Sequence, residues 1–246
     1  MKLAVSGKGG VGKSTVAGLL AQLLARDGYR VLAIDCDPDA NLASVLGCRS
    51  PTPLSELRDL IRNRAGEPGG AYKLNPQVDD VAEAWGVDCG GVRLLAMGTI
   101  ERGGEGCTCP SAAFLRALLR HSLRSSQVLV MDMEAGIEHL GRGTSQYVDL
   151  LLVVVEPGQR SVETLSRIRK LAADLGVREV RAVLNKDRGD PRARRLVEET
   201  GVPLLAVIPF DPVLVDADLH GEPPLGRGGP AIEAIRALKD RLKEEL

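Results

Sequence analysis

The sequence predicts an α/β fold in which one mostly parallel sheet is covered by helices on both faces. Three features predict it. Short apolar runs such as Val31–Ile34, Val128–Met131 and Leu150–Val155 alternate with segments whose apolar residues recur at helical spacing. Several runs end in a polar residue (Asp35, Asp132, Glu156, Asn185), and the carboxyl ends of strands are where open α/β sheets bind ligands. The first run is joined to the first helical segment by a loop carrying Gly7, Gly9, Gly10 and Gly12.

In chain order, Leu3–Val5 is the first strand. The loop Gly7-Lys8-Gly9-Gly10-Val11-Gly12-Lys13-Ser14-Thr15 follows, and Val16, Leu19, Leu20, Leu23 and Leu24 then mark one face of a helix. Strand, glycine loop and helix are the setting in which G-x-x-x-x-G-K-[ST] is a phosphate site, so the fold is expected to be that of a P-loop NTPase. The glycines allow the N–H groups of Gly9, Gly10, Val11 and Gly12 to turn toward one anion, and the helix adds its positive end. Lys13 is expected to reach the terminal phosphates, Ser14 to place its hydroxyl on Mg²⁺, and Thr15 to touch an inner phosphate. Lys8 is a second lysine in the same loop, directed toward whatever covers the phosphates.

Asp27-Gly28 ends the first helix, and Arg30–Ile34 is a buried strand leading into Asp35-Cys36-Asp37-Pro38. Short helices are expected near Leu42–Leu46 and Leu54–Arg64. Residues 66–91 are rich in Gly and Pro and read as an irregular hairpin, followed by a strand at Val92–Met97. The stretch 66–110 is thus an insertion ending in the loop Gly106-Cys107-Thr108-Cys109-Pro110, with Pro110 suited to the first turn of a helix through Phe114, Leu115, Leu118 and Leu119. Strands follow at Val128–Met131, Leu150–Val155, Val180–Leu184 and Leu204–Ile208. Helices run from Ser161 to a stop at Gly176, and from Ala231 to Leu246 with a stripe of Ile232, Ile235, Leu238 and Leu242. At 246 residues the chain reads as one P-loop ATPase domain, 1–246.

Hydrolysis of a nucleotide needs Mg²⁺ beside the phosphates and an aimed water. Asp37 and Asp132 each follow an apolar strand near the loop. Asp37 is assigned to orienting the attacking water or accepting its proton, and Asp132 to the Walker B contact with Mg²⁺. Gly136, shortly after Asp132, can donate its N–H to the γ-phosphate and withdraw after hydrolysis. Asn185 can accept from adenine N6 and donate to N7. Guanine readers with Asn-Lys carry an aspartate two residues past the lysine, and Arg188 stands there, which favours adenine over guanine next to Lys186. Pro209, Phe210 and Asp211 are placed to close the base pocket through their backbone.

Net charge is −1 and the pI about 6.3, which gives no general attraction to nucleic acid or to anionic membranes. Aromatics at 2% leave little for a base-stacking platform, and the terminal helix mixes charges of both signs, unlike a membrane-surface helix. No cleavable signal or membrane-length run is read, so the expected compartment is the cytoplasm. There, reduced thiols or a metal site are expected from the five cysteines rather than a disulfide framework. Cys36, Cys48 and Cys89 read as single structural residues. Cys107 and Cys109 supply only half of a four-coordinate thiolate shell, so two chains meeting on a two-fold axis would complete a site for a soft metal such as zinc, nickel or copper(I).

The loop with Lys8 and Lys13 resembles the deviant Walker A of the MinD/ParA/nitrogenase-iron-protein class of ATPases. With Gly106–Pro110 and the segment Asp132-Met133-Glu134-Ala135-Gly136-Ile137-Glu138-His139-Leu140-Gly141-Arg142-Gly143, the chain is similar to CooC-type ATPases, nickel-insertion accessory proteins of carbon monoxide dehydrogenase. That resemblance implies an ATP/ADP-cycling homodimer in which Lys8 reaches the partner's nucleotide, with Ni²⁺ or Zn²⁺ held across the interface by Cys107 and Cys109. It also implies a client metalloenzyme such as carbon monoxide dehydrogenase. Two rivals share the frame. An iron-protein-like reductase would place a cluster cysteine where Ala135 stands, and a partitioning ATPase would need a DNA- or membrane-binding surface.

Overall fold

The computed structural model describes residues 1–67, 69–98, 110–137 and 142–245. Eight strands form one sheet: β1 (Lys2–Gly7), β2 (Val31–Asp35), β3 (Val87–Asp88), β4 (Val92–Ala96), β5 (Val128–Asp132), β6 (Leu150–Val155), β7 (Val180–Asp187) and β8 (Leu204–Pro209). Their spatial order is β3-β4-β2-β5-β1-β6-β7-β8, and every neighbouring pair is parallel except β3 with β4. The helices are α1 (Lys13–Arg26), α2 (Leu42–Leu46), α3 (Arg58–Ala65), α4 (Val81–Trp85), α5 (Pro110–Arg124), α6 (Arg142–Ser145), α7 (Gln159–Leu175), α8 (Pro191–Glu198), α9 (Pro212–Leu219) and α10 (Pro230–Glu245).

The continuous apolar runs follow from burial on both faces. Along β6, Leu150, Leu152 and Val154 enter one core with α1 and α10, while Leu151, Val153 and Val155 enter the other with α5 and α7. Phe114, Leu118, Leu165 and Ile168 cover the second face, and Leu20, Leu24, Ile235 and Leu238 the first; all are at most 3% exposed. β1 lies in the middle of the sheet, between β5 and β6. The chain turns from building one side to building the other around it, so the loop after β1 opens at the switch point.

The expected irregular hairpin resolves into α4 followed by the antiparallel pair β3–β4, which joins the edge of the main sheet. One expectation is corrected here. Cys48 and Cys89 are not single: they form a disulfide with Cα atoms 5.4 Å apart, closing a separation of 41 residues. The strand order brings the turn after β3 beside the end of α2, a neighbourhood that spacing along the chain does not encode. Cys36 remains a free, buried thiol.

Candidate functional site

The loop after β1 is shaped by its neighbours as much as by its glycines. A Cβ on Gly7 would lie 2.3 Å from the carbonyl oxygen of Val154 in β6, so only glycine lets β1 leave the sheet this close to its partner. Gly12 is left-handed at φ 94° and starts α1 without a side-chain cap. The first N–H groups of α1 therefore face the loop's concavity without a capping side chain.

The other side of the loop is braced by the end of β7, which runs three residues beyond Leu184. Asn185 donates from Nδ2 to the Val11 carbonyl at 2.8 Å, and a Cβ on Gly12 would lie 2.5 Å from that same nitrogen. Lys186, at φ 56°, donates from Nζ to the Gly10 carbonyl at 2.5 Å and pairs with Glu156 at 3.4 Å. One amide hydrogen of Asn185 is thus taken by the loop.

A cavity of about 280 Å³ opens behind this brace. It is lined by Gly10, Gly12 and Thr15 from the loop, by Asn185 and Lys186, and by Pro209, Phe210 and Asp211. The structure therefore gathers around one cavity residues that lie far apart in sequence. The guanidinium of Arg188 sits 4.2 Å from the centre of the Phe210 ring and holds it in place. The Asp211 carboxylate is committed elsewhere: Oδ1 accepts from the Val213 N–H at the start of α9, and Oδ2 from the Ala231 N–H at the start of α10. Only the backbone of Asp211 is left for a ligand. Ser44 and Val45 of α2, and Leu214, Asp218 and Glu222 in and after α9, also line the cavity. Nothing in their local sequence marks them, because the packing of α2 and α9 brings them there.

On the sheet side, Asp35 and Asp132 are register partners at the ends of β2 and β5. Asp132 is fully buried, and neither of its oxygens has a hydrogen-bond partner. Burial, with Asp35 and Asp37 nearby, pushes its pKa up to about 7, although the Ser14 hydroxyl and Lys13 oppose the rise. Asp35 accepts from the N–H groups of Leu42 and Asp37, and burial raises its pKa to about 6. Burial beside these carboxylates pushes the Cys36 thiol well up. Lys13 is buried and stands 3.7 Å from Asp37. Three carboxylates thus face one ammonium, a set short of positive charge. An orphan carboxylate beside the hydroxyl of Ser14 is the donor set a hard cation such as Mg²⁺ takes, so the residues fit that ion.

Gly136 lies after β5, its N–H donating to the Glu134 carbonyl at 2.6 Å and its own carbonyl accepting from the Ser6 hydroxyl at 2.8 Å. Lys8 is half-buried. Cys107 and Cys109 lie outside the described residues, as do Glu138 and His139; among the described residues no cluster of three or more His, Cys, Asp or Glu is arranged to hold a metal.

A phosphate loop after the central strand, with carboxylates ending the neighbouring strands, defines a P-loop ATPase of the MinD/ParA type. The chain belongs to the CobQ/CobB/MinD/ParA nucleotide binding domain family, whose profile matches residues 2–225. It is 46% identical over 231 residues to the carbon monoxide dehydrogenase accessory protein CooC of Rhodospirillum rubrum, covering 90% of this chain and 88% of that one. It is 43% identical over 232 residues to an ATP-binding protein of Methanocaldococcus jannaschii, covering 91% and 90%. In structure it is similar to a ParA family ATPase of Chlorobium tepidum (TM-score 0.76, 18% identity, 98% of each chain). It also matches the cell division protein MinD of Aquifex aeolicus (TM-score 0.69, 24% identity, 99% and 97%). Among the described residues no helix is long and apolar enough to cross a membrane.

Proposed function

We propose that this ATPase is a metallochaperone that pairs into a homodimer on ATP and delivers nickel to a carbon monoxide dehydrogenase-type enzyme, acting in the cytoplasm as one domain spanning residues 1–246. The observation that carries the reading is the 46% identity with a carbon monoxide dehydrogenase accessory protein over nearly all of both chains. The triphosphate lies along the N–H groups of Gly9 to Thr15, with Lys13 on its terminal phosphates. The adenine enters the cavity between Asn185 and Phe210, where Asn185 Oδ1 accepts from N6. Ser14 and Asp132 hold Mg²⁺, which neutralises charge developing on the phosphates.

Asp37 orients the attacking water. Its distance from Lys13 supports this placement, because it sets a proton acceptor at the phosphate end of the loop. Lys8 belongs to neither role within its own chain and reaches the nucleotide of the second copy. Pairing brings two Cys107–Cys109 loops together, and four thiolates complete a shell for Ni²⁺ or Zn²⁺ as cargo. Hydrolysis loosens the pair and frees the metal to the client.

The test is metal analysis of the full chain with and without MgATP. The wild type is expected to bind about one Ni²⁺ or Zn²⁺ per two chains, as a shell of four thiolates requires. The Cys107→Ser/Cys109→Ser double variant is expected to bind none while keeping its nucleotide affinity. Unchanged metal content in that variant would defeat the assignment.

A further inference from the structure

Ser6 is fully buried at the end of β1, one residue before the phosphate loop begins. Its hydroxyl lies 2.8 Å from the Gly136 carbonyl and 3.2 Å from the Glu134 carbonyl. The Gly136 N–H is itself turned back onto the Glu134 carbonyl at 2.6 Å. One hydroxyl thus grips both ends of a tight turn whose middle holds the N–H that a γ-phosphate would engage. For that N–H to face a phosphate, its bond to Glu134 has to break and the turn has to open. The Glu134 and Ala135 side chains are exposed, whereas Ser6 is held inside β1.

We propose that Ser6 is a positioning residue that latches the Gly136 turn in its withdrawn state and so sets how strongly the site prefers a nucleoside triphosphate over a diphosphate. The inference rests on the ATPase reading above and on Gly136 as the γ-phosphate contact. A ligand shifts a two-state element only by its differential affinity for the two states. ADP lacks the γ-phosphate, so it leaves the latch shut, and only a triphosphate has to work against it.

The experiment measures the affinity of the full chain for Mg-ADP and for Mg with a non-hydrolysable ATP analogue, in wild type and in Ser6→Ala. Losing one shared hydrogen bond is expected to raise the preference for the analogue over ADP by roughly two- to tenfold, with ADP affinity unchanged. A merely structural loss would weaken both nucleotides alike. An unchanged or reduced preference overturns the latch. Failure of the wild type to bind either nucleotide would instead sink the ATPase reading, and the latch with it. Should Ser6→Ala not fold, Ser6→Cys keeps the volume with a weaker donor and is expected to move the preference in the same direction by less.

Discussion

Asp132 shows what a buried carboxylate costs before the cation proposed for it is bound. Its carboxylate is buried beside Asp35 and Asp37, with the Ser14 hydroxyl and Lys13 only partly offsetting that, and its pKa of about 7 lies above the unfolded value, so the folded protein binds this proton more tightly than the unfolded chain does. Without metal, this group carries no penalty below about pH 4, where both states are protonated. The penalty grows as pH rises and is complete above about pH 7, where both states have lost the proton. Asp132→Asn is therefore expected to stabilise the metal-free protein at pH 8 by about 2–4 kcal/mol and to have little effect near pH 4. The same variant should lose ATP hydrolysis. Denaturant midpoints at the two pH values, with a phosphate-release assay, check both halves; a destabilised variant at pH 8 would mean the carboxylate is not held at a cost.

At the scale of elements, α8 and α9 begin with the same pair of residues, and of the two only α9 lines the cavity. Asp190-Pro191 opens α8 and Asp211-Pro212 opens α9, with the aspartate accepting from the N–H two residues on and proline filling the first helical position. Asp211 does more than Asp190, because its second oxygen caps α10 through Ala231. Asp211→Ala is expected to cost about 2–3 kcal/mol, the sum of two caps, and to weaken nucleotide binding by letting α9 drift from the cavity. Asp190→Ala should cost about 1 kcal/mol and leave binding alone. Thermal melts with a nucleotide titration separate the two. Equal effects would show that the shared cap on α10 contributes nothing.

At the scale of the molecule, two devices tie distant parts together. The Cys48–Cys89 disulfide fixes the end of α2 to the turn after β3 across 41 residues. Cross-linking a loop of that length removes about 4 kcal/mol of unfolded-chain entropy, so Cys48→Ser/Cys89→Ser is expected to melt clearly lower than wild type. Reducing agent should lower the wild-type melting point and leave the variant unmoved; identical melts with and without it would show that the bond is absent in solution. The second is the proposed pairing of two chains. Asp37→Ala removes the proposed acceptor for the attacking water but keeps Lys13, so it is expected to accumulate as an ATP-bound dimer. Light scattering under saturating MgATP reads this directly, and a persistent monomer would rule out the nucleotide clamp.

Much of this was legible in the chain alone. Strand, glycine loop and helix are contiguous, and the apolar runs of β2, β5 and β6 are continuous because each is buried on two faces, so local pattern and fold agree. Gly176 at φ 79° and Pro110 at the first turn of α5 also declare themselves locally. The Asp-Pro starts of α8 and α9 carried a readable signal without a long apolar period behind it. Tertiary structure alone decided the rest. Strand order placed Cys48 beside Cys89, Asp35 beside Asp132, and the Ser6 hydroxyl beneath Gly136. The packing of α2 and α9 then built the cavity wall from residues with no motif of their own. Those contacts depend on which elements become neighbours across the sheet, and spacing along a chain does not carry that information.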